Sequence, residues 1–139
     1  MTELTPEQID SMPAGPEINM LVAERVMQLG GEYQHDFREN GYGQCNKCDA
    51  SNDMGAIRRG GRYCTIPDNY SEDIAAAWEV VEKFKTDGWA VEIQWELRDD
   101  GGVGAWFCAL DNSHKEWYGF SETAMLVICR TALKAVVNV

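Results

Sequence analysis

The sequence predicts an α+β domain: an antiparallel three-stranded meander packed with three helices, in the order α-loop-α-β-β-β-α. Three observations lead there. Apolar residues recur at three- and four-residue steps in three separate stretches. Between the second and third stretch, one run alternates apolar and polar residues strictly. Short aromatic runs punctuated by Gly, Asp, Asn and Ser then follow it.

Residues 1–15 carry Pro6, Pro13 and Gly15 among polar neighbours, and read as a flexible tail or an arm that orders on a partner. Residues 16–139 form the single domain. Its first helix opens at Pro16, where a proline loses no needed donor, and aligns Ile18, Leu21, Val22, Val26 and Leu29, with Gly30 and Gly31 as its stop. "NYSEDIAAAWEVVEKFKTDG" restarts a helix, with Ser71 as its expected cap and Ile74, Ala77, Trp78, Val81 and Phe84 as its buried stripe. In "WAVEIQWEL" the residues Trp89, Val91, Ile93, Trp95 and Leu97 face one way, which describes a strand dry on one side and wet on the other. "AWFCAL" and "KEWYGF" supply two more strands. Ser121 is the expected cap of a last helix, "ETAMLVICRTALKAVV".

Composition bounds the function. With 139 residues and 45% apolar content, the chain can bury one core without disulfides or metals. It holds no apolar run of membrane-spanning length, and its N-terminus lacks the basic start and apolar stretch of a secretory signal. The expected location is therefore the cytoplasm, with reduced cysteines. A net charge of −11 repels long nucleic acid. Cys108 and Cys129 lie in apolar periodic segments and read as small core residues.

The insertion at 32–67 is different in kind. No apolar period crosses it, although loops beyond about 12–15 residues are uncommon inside a compact domain. It holds Cys45-x2-Cys48 and, further on, Cys64. These three soft donors suit a structural zinc, with His35 as the fourth ligand and Asp36 or Asp49 as alternatives; the competing reading is three ordinary thiols. The pair does not follow a strand and open a helix, so a redox role is disfavoured.

Arg58, Arg59 and Arg62 put three guanidinium groups into five positions of an acidic chain. Guanidinium forks suit phosphate oxygens, and Gly55, Gly60 and Gly61 allow close backbone approach. Tyr63 is placed to stack on a ring, and Arg130 of the last helix is a further candidate for the same pocket in a homo-oligomer. The plainer alternative is that the three arginines offset neighbouring acids.

Other constellations fail. "DASNDMG" has Met54 and Gly60 where a calcium loop needs glycine and glutamate. No phosphate-loop or nucleophile-elbow pattern occurs. His114 sits in a polar turn, Glu92 and Glu96 read as solvated acids, and Trp106 and Trp117 read as core residues before groove residues.

Two stretches taken together, "IPDNYSEDIAAAWEVVEKF" and "AMLVICRTALKAV", resemble a family of small phage and prophage proteins named for an α-β-α sandwich domain. The resemblance covers residues 66–136 as a frame, and 19–29 more weakly. It implies a three-layer sandwich and no particular activity.

The expected function is a non-enzymatic phage protein that binds a small anionic, nucleotide-type ligand in the host cytoplasm and sequesters a host immune signal. The alternatives are an acidic protein-interaction or inhibitor module, and a nucleotide-acting metalloenzyme.

Overall fold

The structure is a computed structural model and describes residues 4–29, 33, 47–48, 52–53, 56–57, 64, 66–97 and 102–137. It is an α+β fold with the expected order of elements and two additions, one at the N-terminus and one inside the insertion. Residues Pro6–Asp10 form a short helix, α1, where composition suggested a tail. The signal for it is local. Thr5 and Gln8 make a reciprocal capping box, with Pro6 at the first helical position. Ile9 and Met12 then bury themselves in the core, which holds the segment down.

Helix α2, Pro16–Leu21, runs on into a π-helical turn, Val22–Val26. The turn shows in the backbone: the Met27 N–H reaches the Val22 carbonyl at 2.9 Å. The stop comes earlier than Gly30. Gln28 takes the left-handed conformation (φ 55°), and the Leu29 N–H closes back onto the Ala23 carbonyl at 3.0 Å. Leu29, expected on the buried stripe, is left exposed beyond that stop, while Ile18, Val22 and Val26 are buried.

After a two-residue ribbon, β1 (Asn52–Asp53) paired antiparallel with β2 (Ala56–Ile57), the chain enters helix α3, Ile74–Thr86. Its cap is Asp73, whose carboxylate accepts from the Ala75 N–H at 3.0 Å, and not Ser71. Ser71 is buried and bonded to Asn19 instead. The buried face consists of Ala76, Ala77, Val80, Val81 and Phe84, whereas Ile74 and Trp78 are 52% and 47% exposed. The stripe is therefore rotated from the expected one.

Strands β3 (Ala90–Glu96), β4 (Ala105–Asp111) and β5 (Glu116–Ser121) form an antiparallel meander in that order, with β3 and β5 as its edges. Its register sets Ile93 opposite Cys108 and Cys108 opposite Gly119 on one face. On the other face Gln94, Phe107 and Phe120 line up. Helix α4, Ala124–Val137, crosses the first face. Its cap is Thr123, whose hydroxyl accepts from the Leu126 N–H at 3.2 Å, since Ser121 belongs to β5. Gly119 admits the helix: a Cβ there would meet Lys134 Nζ at 3.1 Å and Thr131 Oγ1 at 3.3 Å.

Helix α4 is the centre of the fold. Leu126–Cys129 and Thr131–Ala135 are all buried, so the helix is covered around its whole circumference, as a one-sided surface helix would not be. Strands β4 and β5 lie on one side of it, and α1, α2, the π turn and α3 pack around the remainder. Among the described residues, the helices occupy one face of the sheet. The opposite face presents side chains to solvent.

Candidate functional site

The insertion is fastened at its base. Tyr33 and Cys64 form an isolated antiparallel bridge: the Cys64 N–H donates to the Tyr33 carbonyl at 2.8 Å, and the Tyr33 N–H to the Cys64 carbonyl at 3.3 Å. Both side chains are buried. The Tyr33 hydroxyl contacts Met20 Sδ of α2 at 3.2 Å, which ties the bridge to the first helix. Burial pushes the Tyr33 phenol up from its ordinary value, and the Glu24 carboxylate adds to the shift. Tyr70, also buried, is pushed up further by burial and by the carboxylates of Asp68 and Glu79. Both phenols are therefore neutral.

A second fastening joins Lys47 to Asp68 at 2.9 Å. Lys47 is nearly buried while the Asp68 side chain stays exposed, so solvent still reaches the carboxylate side of the pair. At the end of the insertion the Cys64 sulfur accepts from the Ile66 N–H at 3.4 Å. An N–H aimed at a cysteine sulfur is the kind of outer contact that orients a metal-binding thiolate.

Of the residues that the sequence singles out for zinc, Cys48 and Cys64 are described, Cys48 half-buried and Cys64 fully buried. Cys45 and His35 lie outside the described residues, and among the described residues no three metal-ligating side chains converge. Arg58, Arg59, Arg62 and Tyr63 also lie outside them. In sequence they stand between β2, which ends at Ile57, and the bridged Cys64.

Arg130 is described, half-buried on α4. Its Nε and Nη2 both donate to the Met12 carbonyl, at 3.0 and 2.7 Å. The guanidinium thus holds the N-terminal segment on the central helix. Sequence reasoning missed the partner of this clamp as well as a second one nearby, where Lys134 meets both Asp10 and the Tyr118 carbonyl. The only signal was a lysine inside an otherwise apolar helical stripe. Cys108 and Cys129 are core thiols, as expected.

The chain is thus an acidic α+β domain whose helices pack on a three-stranded meander, with an insertion fastened at its base. Residues 20–133 match the phage ABA sandwich domain, and the chain belongs to that family. A crystal structure of a phage protein from Bacillus cereus ATCC 14579 is similar in fold: TM-score 0.56, 24% identity, 91% of this chain and 95% of that one covered. No curated protein matches the chain. No helix among the described residues is long and apolar enough to cross a membrane.

Proposed function

We propose that this phage protein is a binding protein and not an enzyme, taking a small anionic ligand of nucleotide type. Arg58, Arg59 and Arg62 would hold its phosphates and Tyr63 its ring. The observation that supports this reading is the closed base. Through the Tyr33–Cys64 bridge, a segment with three arginines starts and ends at one point of a chain whose net charge is −11. Joining the two ends of a segment removes part of the conformational entropy that ordering it around a ligand would otherwise cost. Arg130, already engaged with Met12, is left out of this ligand set. In a host cytoplasm, such a protein would act by sequestering a nucleotide signal.

Titration calorimetry with a panel of cyclic and linear nucleotides tests the proposal. Saturable heat with at least one of them, lost in an Arg58→Ala, Arg59→Ala, Arg62→Ala variant that keeps its thermal transition, is the expected result. Absence of heat with every member of the panel defeats it. The insertion would be stiffened by a structural zinc on Cys45, Cys48, Cys64 and His35, a reading supported by the hydrogen-bonded Cys64 sulfur. Elemental analysis of the purified chain checks it: stoichiometric zinc supports the site, and a zinc-free folded chain rules it out.

A further inference from the structure

The solvent face of the sheet combines two features that a merely hydrated surface does not. Its middle is aromatic. Phe107 of β4 packs against Phe120 of β5 at 5.2 Å between ring centroids, and against Tyr118 at 6.3 Å. Tyr118 and Phe120 remain 56% and 51% exposed. Contiguous exposed rings of this kind are uncommon on a surface with nothing to bind.

Its surround is acidic. Glu92 and Glu96 flank the rings on β3, Asp111 on β4 and Glu116 on β5, all on the same side of the pleat as Phe107. None of the three strands contains a lysine or arginine. The cation closest in sequence is Lys115, in the β4–β5 turn. Glu96 is held in place by the Gln94 amide, at 2.7 Å.

The charge selects the occupant. A second copy laid face to face would set carboxylates against carboxylates on a chain of net charge −11. Nucleic acid would stack on the rings but be repelled by the surround. A protein segment bearing arginine or lysine around an apolar centre meets both demands: its cations reach the carboxylates and the ring faces, and its apolar side chains cover the aromatic middle.

We infer that the Phe107–Tyr118–Phe120 face is a docking surface for a cationic, amphipathic protein segment. This surface is built from the sheet alone and is independent of the anion-binding reading of the insertion.

The test uses the full chain labelled for NMR and a synthetic peptide alternating arginine and leucine, with a glutamate–leucine peptide as control. The expected result is saturable shifts confined to amides of β3, β4 and β5. The affinity should weaken with salt and fall by about tenfold or more in both Phe120→Ser and Glu92→Lys, Glu116→Lys variants. These positions are exposed, and retention of the thermal transition confirms that the variants fold. Three outcomes overturn the inference: shifts scattered over the whole surface, equal binding of the control peptide, or concentration-dependent shifts of the same amides without peptide. The last would make the face a contact between copies of the chain.

Discussion

The side-chain oxygen of Asn19 accepts two hydrogen bonds from Ser71, one from the backbone N–H at 2.9 Å and one from the hydroxyl at 2.7 Å. The Asn19 amide donates in turn to Asn69 at 2.9 Å, and the Ser71 hydroxyl accepts from the Gly15 N–H at 3.0 Å. One buried carboxamide thereby fixes where α2 begins and how the chain enters α3. Ser71 is held by that network, and the capping of α3 falls to Asp73.

Asn19→Ala removes the acceptor and leaves two Ser71 donors buried without it. A loss of about 2–4 kcal/mol in unfolding free energy is expected, from denaturant midpoints at unchanged slope. Asn69→Ala, at an exposed position, should cost about 1 kcal/mol or less. Equal losses at the two sites would show that the network is not centred on Asn19.

The N-terminal segment is held on α4 by two cations, and these differ in kind. Lys134 is 5% exposed, but its partner Asp10 is 53% exposed, so the carboxylate side of that pair is well screened. Asp10→Ala should therefore cost about 1 kcal/mol or less. Lys134→Ala also strips the Tyr118 carbonyl of its donor and opens space against Gly119, and should cost about 2–3 kcal/mol. Arg130→Ala removes both donors to Met12. Its signature should be local: faster hydrogen exchange across residues 5–13, with a smaller effect elsewhere. Uniform acceleration across the chain would contradict the strap-like role.

Burial raises the thiol of Cys108 to about 11, an effect that Thr131 and Lys134 partly offset, and that of Cys129 to about 12, with Cys108 adding to the second. Both start from a value of 9.0. In the unfolded chain these thiols ionise near that value, while the folded chain keeps them protonated. The unfolded state therefore binds fewer protons above pH 9, and stability falls as pH rises from about 9 toward 11–12. Each group contributes a slope of at most about 1.4 kcal/mol per pH unit. The phenols of Tyr33 and Tyr70, pushed the same way, act at higher pH. Denaturation midpoints across pH 8–11 measure this, and Cys129→Ala should flatten the decline. An unchanged slope in that variant would refute the assignment.

The element order was legible because period and punctuation agree throughout residues 66–137, and all three strands of the meander fall within a residue or so of where alternation and turns put them. Helix α1 was also readable. Thr5-Pro6-Glu7-Gln8 is a capping box, overlooked because the surrounding prolines suggested a tail. The failures share a cause in tertiary structure. Ser71 and Ser121 look like caps in isolation, but a partner 52 residues away claims the first and strand β5 the second. Trp78 and Trp95 lie on apolar stripes and end up exposed, since the stripe of α3 is rotated and Trp95 packs edge-on against Trp106 toward the end of the meander. The candidate site was legible only as composition. Its two fastenings, Tyr33 to Cys64 and Lys47 to Asp68, join residues that no local pattern relates.

Helix α4 is the last of the described elements to leave a ribosome, yet every other helix and two of the strands rest on it. Until roughly residue 137 has emerged, the nascent chain has walls but no pillar. The described core therefore closes only once α4 has been synthesised, and the apolar faces of α2 and α3 stay uncovered until then.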